Sequence, residues 1–261
     1  MMKFLMLRVL PLIFIALFNN SFELFAQFNF LGKPGLVMTP RAAHADSTDH
    51  FYVGTSYIPL EYGLNNFMNR IGAEDYFVAN LDFTKRLRIN AVLTRPRDIP
   101  RIGIGDRHID IQFDLLYQRG LIPNVGLIIT PTFEGSAFLN HNAILVSRYF
   151  DFKKGIRLEV SSGYGLSKVF IKPFDSRLFQ GFENKYQWID KSVYGNYYLD
   201  EFFGGLQLSF SNVFWLSGEY DGRFYNAGAS LLLFKKLHLN TRLLGMEAFS
   251  YGFGYRFLLK D

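Results

Sequence analysis

The stretch from Glu247 to Leu258 constrains the fold most. Phe249, Tyr251, Phe253, Tyr255 and Phe257 occupy one parity, and Ala248, Ser250, Gly252, Gly254 and Arg256 the other. Side chains alternate faces along a strand, so this stretch carries five aromatics on one face and small or charged groups opposite. A single antiparallel edge strand packed on a core would show such a pattern once. Here it recurs along the chain, which is the alternation of a barrel facing lipid outward and a polar lumen inward.

Residues 1–26 read as a secretory signal peptide, with Lys3 and Arg8 before an apolar Val9 to Phe18 run and Ala26 preceding Gln27. That run falls short of the roughly 20 residues of a spanning helix and contains Pro11, and no later stretch reaches that length. The chain has no Cys, which removes lipoprotein anchoring, disulfides and thiol chemistry together. Residence in a membrane therefore requires a barrel, because only helices and closed barrels satisfy every backbone group in lipid. The 28 basic and 23 acidic residues are spread without a Lys/Arg block, so the chain has no nucleic-acid footprint. Its 18% aromatic content suits interfacial girdles.

Residues 27–49 form a turn-rich periplasmic segment containing GKPGLVMTPRAAHADSTD, placed on the periplasmic side or folded into a lumen. Alternating stretches then predict strands over 51–59, 74–84, 86–94, 107–118, 123–133, 140–150, 156–164, 201–211, 213–221, 223–234, 237–244 and 247–258. The parity of 140–150 is ambiguous. Connections at Lys85, Arg119, Asp151, Asn212 and Lys235 are short and share one side, while those at Leu60, Arg95, Gly135 and Leu166 are longer and share the other. Gly222 and Gly245 mark two short connections on that second side. The expected fold is all-β, a transmembrane antiparallel up-and-down β-barrel of about 12 strands over 50–261, located in the cell outer membrane. No repeat argues for a further domain.

By parity, Asp82, Arg86, Arg88, His108, Asp110, Asp114, Arg157, Glu159, Glu219, Arg242 and Arg256 face inward. Their mixed signs predict lateral ion pairs, in either a polar conduit for a hydroxyl-rich solute or a self-satisfied polar core. The cluster His44, Asp46, Asp49 and His50 lacks metal-ligand spacing. Gly103-Ile-Gly105 lacks a third Gly and a following Lys-Ser/Thr. No Ser is marked out beside His108, His141 or His238, so no catalytic residue, metal or cofactor is expected, and the chain does not read as an enzyme.

Loop residues 166–200 supply Tyr186, Trp188, Tyr194, Tyr197 and Tyr198, with Lys185 and Lys191 nearby. Amphipathic rings match the apolar faces of sugars, which makes these glycan-contact candidates; the same rings also suit an outer girdle or an inward plug. Ser250, Gly252, Tyr255 and Phe257 fit a polar-x-Gly-x-x-hydrophobic-x-hydrophobic pattern. It resembles the terminal signal read by the barrel-assembly machinery, although the chain runs on through Asp261.

Several stretches resemble the YjbH-like family of outer-membrane proteins tied to exopolysaccharide production. They are GKPGLVMTPRAAHAD (Gly32 to Asp46), GDRHIDIQFDLL (Gly105 to Leu116) leading into IPNVGLII, SSGYGLSK, EFFGGLQLSF and WLSGEYDGRFYNAGASL (Trp215 to Leu231). Longer members look like two such units, and this chain has one. The resemblance implies a non-enzymatic role in polysaccharide export or surface assembly, with outer-membrane lipid, the assembly machinery, exopolysaccharide and periplasmic export proteins as partners. The alternative is a small-solute channel or a purely structural barrel.

Overall fold

A computed structural model describes residues 27–42, 50–64, 71–97, 99, 103–132, 139–172, 185–195 and 197–259. The signal peptide and the His44, Asp46 and Asp49 positions lie outside this set. The strands are β1 His50–Ile58, β2 Glu74–Asp82, β3 Leu87–Pro96, β4 Arg107–Leu116, β5 Asn124–Ile129, β6 Asn142–Asp151, β7 Ile156–Gly165, β8 Lys168–Ile171, β9 Gln187–Asp190, β10 Glu201–Phe210, β11 Phe214–Tyr220, β12 Tyr225–Leu233, β13 Leu237–Leu244 and β14 Ala248–Leu258.

All but β8 and β9 join a closed twelve-stranded antiparallel barrel. Each strand pairs with its chain neighbours, β7 with β10 across the hairpin insertion, and β1 closes on β14 from His50↔Leu258 to Tyr57↔Tyr251. Closure leaves no barrel strand with an unpaired edge, the condition for crossing lipid in extended conformation. The exterior meets the other condition: Phe77, Ile109, Phe113, Ile144, Val160, Leu206, Leu216, Leu239, Phe249 and Phe253 all point outward, exposed. No helix of the described residues is long and apolar enough to cross a membrane.

The connections 83–86, 117–123, 152–155, 211–213 and 234–236 share one end with both barrel termini, here the turn end, while 59–73, 97–106, 130–141, 166–200 and the short 221–224 and 245–247 connect strands at the loop end. Ser211 and Asn212, and likewise Phe234 and Lys235, have positive φ, the backbone that turns a hairpin tightly with the native strand twist. Strand β4 stops at Leu116, short of the expected 118, because its register against β5 shifts between Asp114 and Leu116. In β6, Ile144 faces out while Ala143, Leu145 and Ser147 face in. Both parities are apolar there because the lumen's loop end is itself an apolar cluster containing Leu139, Leu145, Leu199 and Phe203.

The stretch 166–200 is not wholly irregular. Strands β8 and β9 form a separate two-stranded sheet, each too short to register as an alternating pattern. The bare inner face of β14 has a steric cause: a Cβ on Gly254 would lie 2.2 Å from the Tyr52 hydroxyl, and one on Gly252 would lie 2.5 Å from Ser56 Oγ. Gly254 thus makes room for the Tyr52 side chain to lie against the lumen wall.

Candidate functional site

What fills the lumen is the chain's own N-terminal segment. Every residue from Gln27 to Ala42 is buried. The segment doubles back on itself through the bridges Phe28↔Pro34 and Gly35↔Pro40 and reaches toward the loop end. Phe28 stacks on Tyr52 with ring centroids 4.0 Å apart, and Phe30 meets Tyr76 and Tyr198 edge-on. A Cβ on Gly228 would come within 2.9 Å of Val37, so β12 is likewise thinned where the segment passes. Its six large apolar side chains explain the burial but not the orientation.

Orientation comes from polar anchors on widely separated strands. Glu219 on β11 accepts hydrogen bonds from three successive backbone N–H groups, those of Val37 (3.0 Å), Met38 (2.5 Å) and Thr39 (3.2 Å), and from Thr39 Oγ1 (2.7 Å). A carboxylate set in such a concave row of amides is an anion nest, here turned into a latch. Lys33 Nζ lies 2.7 Å from Asp110 on β4 and 2.6 Å from His141 Nε2. Arg41 pairs with Glu159 on β7. Neutral bonds complete the seat: Asn90 donates to Leu31 O (3.0 Å), Gln112 to Arg41 O (3.1 Å), Ser147 to Ala42 O (3.0 Å) and Gln207 to Gln27 Oε1 (2.5 Å).

The eleven lumen candidates are placed as follows. Asp82, Arg88, His108, Asp110, Asp114, Glu159, Glu219, Arg242 and Arg256 are all buried on the inner wall. Some pair laterally, as Arg88 does with Asp82 and, at 3.8 Å, with Asp114. Others, Asp110, Glu159 and Glu219, are spent on the segment. Arg157 sits at the turn end, bonded to Asp151 at 2.5 Å. Arg86 does not line the lumen: β3 begins one residue later, and the exposed guanidinium lies over the Tyr117 ring instead. Lys33, Arg41 and His141 are not among the lumen-facing residues expected from parity. The signal for the first two was present: Phe28, Phe30, Leu31, Leu36, Val37 and Met38 make 27–42 too apolar for a solvated tether.

The loop candidates divide. Tyr186 and Trp188 are exposed on β9 and its approach, with the Phe170 ring 5.8 Å and 5.4 Å away. Val169, Ile171 and Ile189 are buried on the hairpin's other face. Tyr197 is exposed beneath Arg223. Tyr198 is a correction to the glycan set: it is buried and donates its hydroxyl to Met38 O at 3.1 Å, so it holds the segment down and is closed to a glycan. Lys191 is buried too, donating to Tyr198 O and Leu199 O, and burial brings its pKa down to about 8 against a partial opposing pull from Asp200. The Tyr194 side chain lies outside the described residues. On β14, Ser250 and Gly252 face inward while Tyr255 and Phe257 face out.

No family model and no curated protein matches the chain. Among solved structures it is similar to one described as a KdgM porin, at 8% identity and a TM-score of 0.43, over 80% of this chain and 98% of that one.

Proposed function

We propose that the protein is an outer-membrane barrel that its own segment 27–42 keeps closed, and that it passes small polar solutes when the segment withdraws. The observation that supports this is the lining beneath the segment. Asp110, Glu159 and Glu219 hold backbone amides and cations that water could satisfy equally well. A core built only for stability gains little from buried ion pairs, whereas a displaceable stopper needs partners that remain soluble after it leaves. On this reading the turn end faces the periplasm and the loop end the exterior. Conductance of the purified barrel in planar bilayers, with and without the segment, tests it. Recovery of the protein in detergent-free periplasmic extracts would remove its premise.

A second reading rests on the β8–β9 hairpin, whose Phe170, Tyr186 and Trp188 present an exposed aromatic face beside Lys168 and Asp190. Such a face suits sugar C–H surfaces, which favours the role in exopolysaccharide export or surface assembly that the YjbH-like resemblance implies. Periplasmic export proteins would then be partners. Each ring contributes about 0.5–1.5 kcal/mol, so Tyr186→Ala with Trp188→Ala is expected to weaken polymer binding roughly tenfold while insertion stays normal. Poorer insertion would make the rings part of a girdle. Normal insertion with unchanged polymer binding would end the glycan reading.

Assembly gives a further expectation. Any side chain at Gly252 meets Ser56 Oγ and the Thr55 carbonyl at the β1–β14 seam, and Phe257 is an outward anchor at the turn end. Replacing both, as in Gly252→Val with Phe257→Ala, is expected to lower the yield of heat-modifiable barrel in cells. An unchanged yield would reject Ser250, Gly252, Tyr255 and Phe257 as a signal to the assembly machinery.

A further inference from the structure

The seat of Lys33 has the construction of a metal site. His108, Asp110 and His141 each aim one ligand atom into a common point, with all three atoms within 4.8 Å of one another and all three residues buried. Both imidazoles are oriented from behind. His108 Nδ1 lies 2.7 Å from Asp106 Oδ2 and His141 Nδ1 lies 2.7 Å from the Leu139 carbonyl, so both Nε2 atoms face Asp110. A carboxylate or carbonyl behind each histidine is the usual support of a metal-binding imidazole. His108 Nε2 lies 3.3 Å from Asp110 Oδ2 and His141 Nε2 3.6 Å from Asp110 Oδ1. Asp110 is itself held by Thr130 Oγ1 at 2.7 Å. A cation already occupies the point: the Lys33 ammonium, in contact with both Asp110 and His141.

We infer that His108, Asp110 and His141 form a site for a divalent transition metal such as Zn2+, and that Lys33 is a tethered cation competing for it. Two imidazoles and one carboxylate suit Zn2+ and its neighbours and do not suit Ca2+ or Mg2+. With Zn–N and Zn–O bonds of about 2.0–2.2 Å, tetrahedral ligand atoms stand about 3.3–3.6 Å apart, so rotations moving the ligands by about 1 Å close the site. Because the ammonium and the metal need the same carboxylate, metal binding displaces Lys33 from Asp110, whether or not the lumen then conducts.

The test is calorimetric titration of tag-free, detergent-folded barrel with Zn2+. Wild type is expected to bind weakly. Lys33→Met keeps the side chain's length without its charge, and is expected to take one Zn2+ per chain roughly 100-fold more tightly. Adding His108→Gln and His141→Gln should abolish that binding, and Ca2+ should bind to none of the three. Binding by Lys33→Met no tighter than wild type, or binding that survives the two histidine changes, overturns the inference. Should Lys33→Met fail to fold, Co2+ absorption of wild type in excess metal reads the same site. A tetrahedral Co2+ band lost in His141→Gln supports it, and no such band overturns it.

Discussion

A barrel lacking residues 27–42 is expected to conduct in steady, resolved steps where the whole chain holds a closed baseline. Removing a buried segment from a soluble core would leave a cavity and unpaired charges, with each broken ion pair costing about 3–5 kcal/mol. A barrel open at both ends escapes that penalty, because water follows the segment out and hydrates Asp110, Glu159 and Glu219. The segment is a ladder partner of none of the twelve barrel strands, so all are expected to keep their neighbours. Twelve strands make a lumen between side-chain-filled small barrels and wide porins, so the expected pore is narrow and selective for small polar solutes. Heat-modifiable migration of the deletion variant confirms the fold independently of current. A folded deletion variant as silent as the whole chain would show that something other than 27–42 closes the lumen.

The second large effect is expected from one carboxylate. Glu219→Ala strips the acceptor from the amides of Val37, Met38 and Thr39, all buried in the closed state. A buried N–H without an acceptor costs about 1–3 kcal/mol, so three of them bias the segment toward water by about 4 kcal/mol, roughly a thousandfold. The alanine leaves strand pairing intact, since the Glu219 backbone partners Gly205 and Asn226 through its own ladder bonds. Hydrogen exchange at Val37 to Thr39 should accelerate by a comparable factor, and channel openings should become frequent. Glu219→Gln keeps one acceptor oxygen and is expected to fall between. If the three amides stay protected in Glu219→Ala, the latch lies elsewhere.

The barrel was readable because its signal is the backbone's own period of two. Phe249 through Phe257 must alternate with Ser250 through Arg256 whatever the tertiary context, and closure follows because strands that face lipid can leave no edge unpaired. Arg86 misled because parity extends only as far as the strand does, and β3 starts at Leu87. The hairpin β8–β9 was hidden because four residues contain too few alternations. What the lumen holds was beyond periodicity altogether. Residues 27–42 have no repeat, and Glu219 is recognisable as a latch only once Val37, Met38 and Thr39 are seen to offer three amides to it. His141 is similar: it stands one residue before β6, and only the fold brings it to His108 and Asp110.

The distance along the chain between the stopper and its seats sets an order of events in folding. Arg41 and Glu159 are 118 residues apart, and Val37 and Glu219 are 182. Contacts of such sequence separation carry a large loop-closure cost until intervening strands have shortened the effective path. The segment's row of amides, Lys33 and Arg41 therefore have nothing to grip before β11, β4 and β7 stand in one sheet. Although the segment precedes every strand in the chain, its docking waits on the strands that carry its seats.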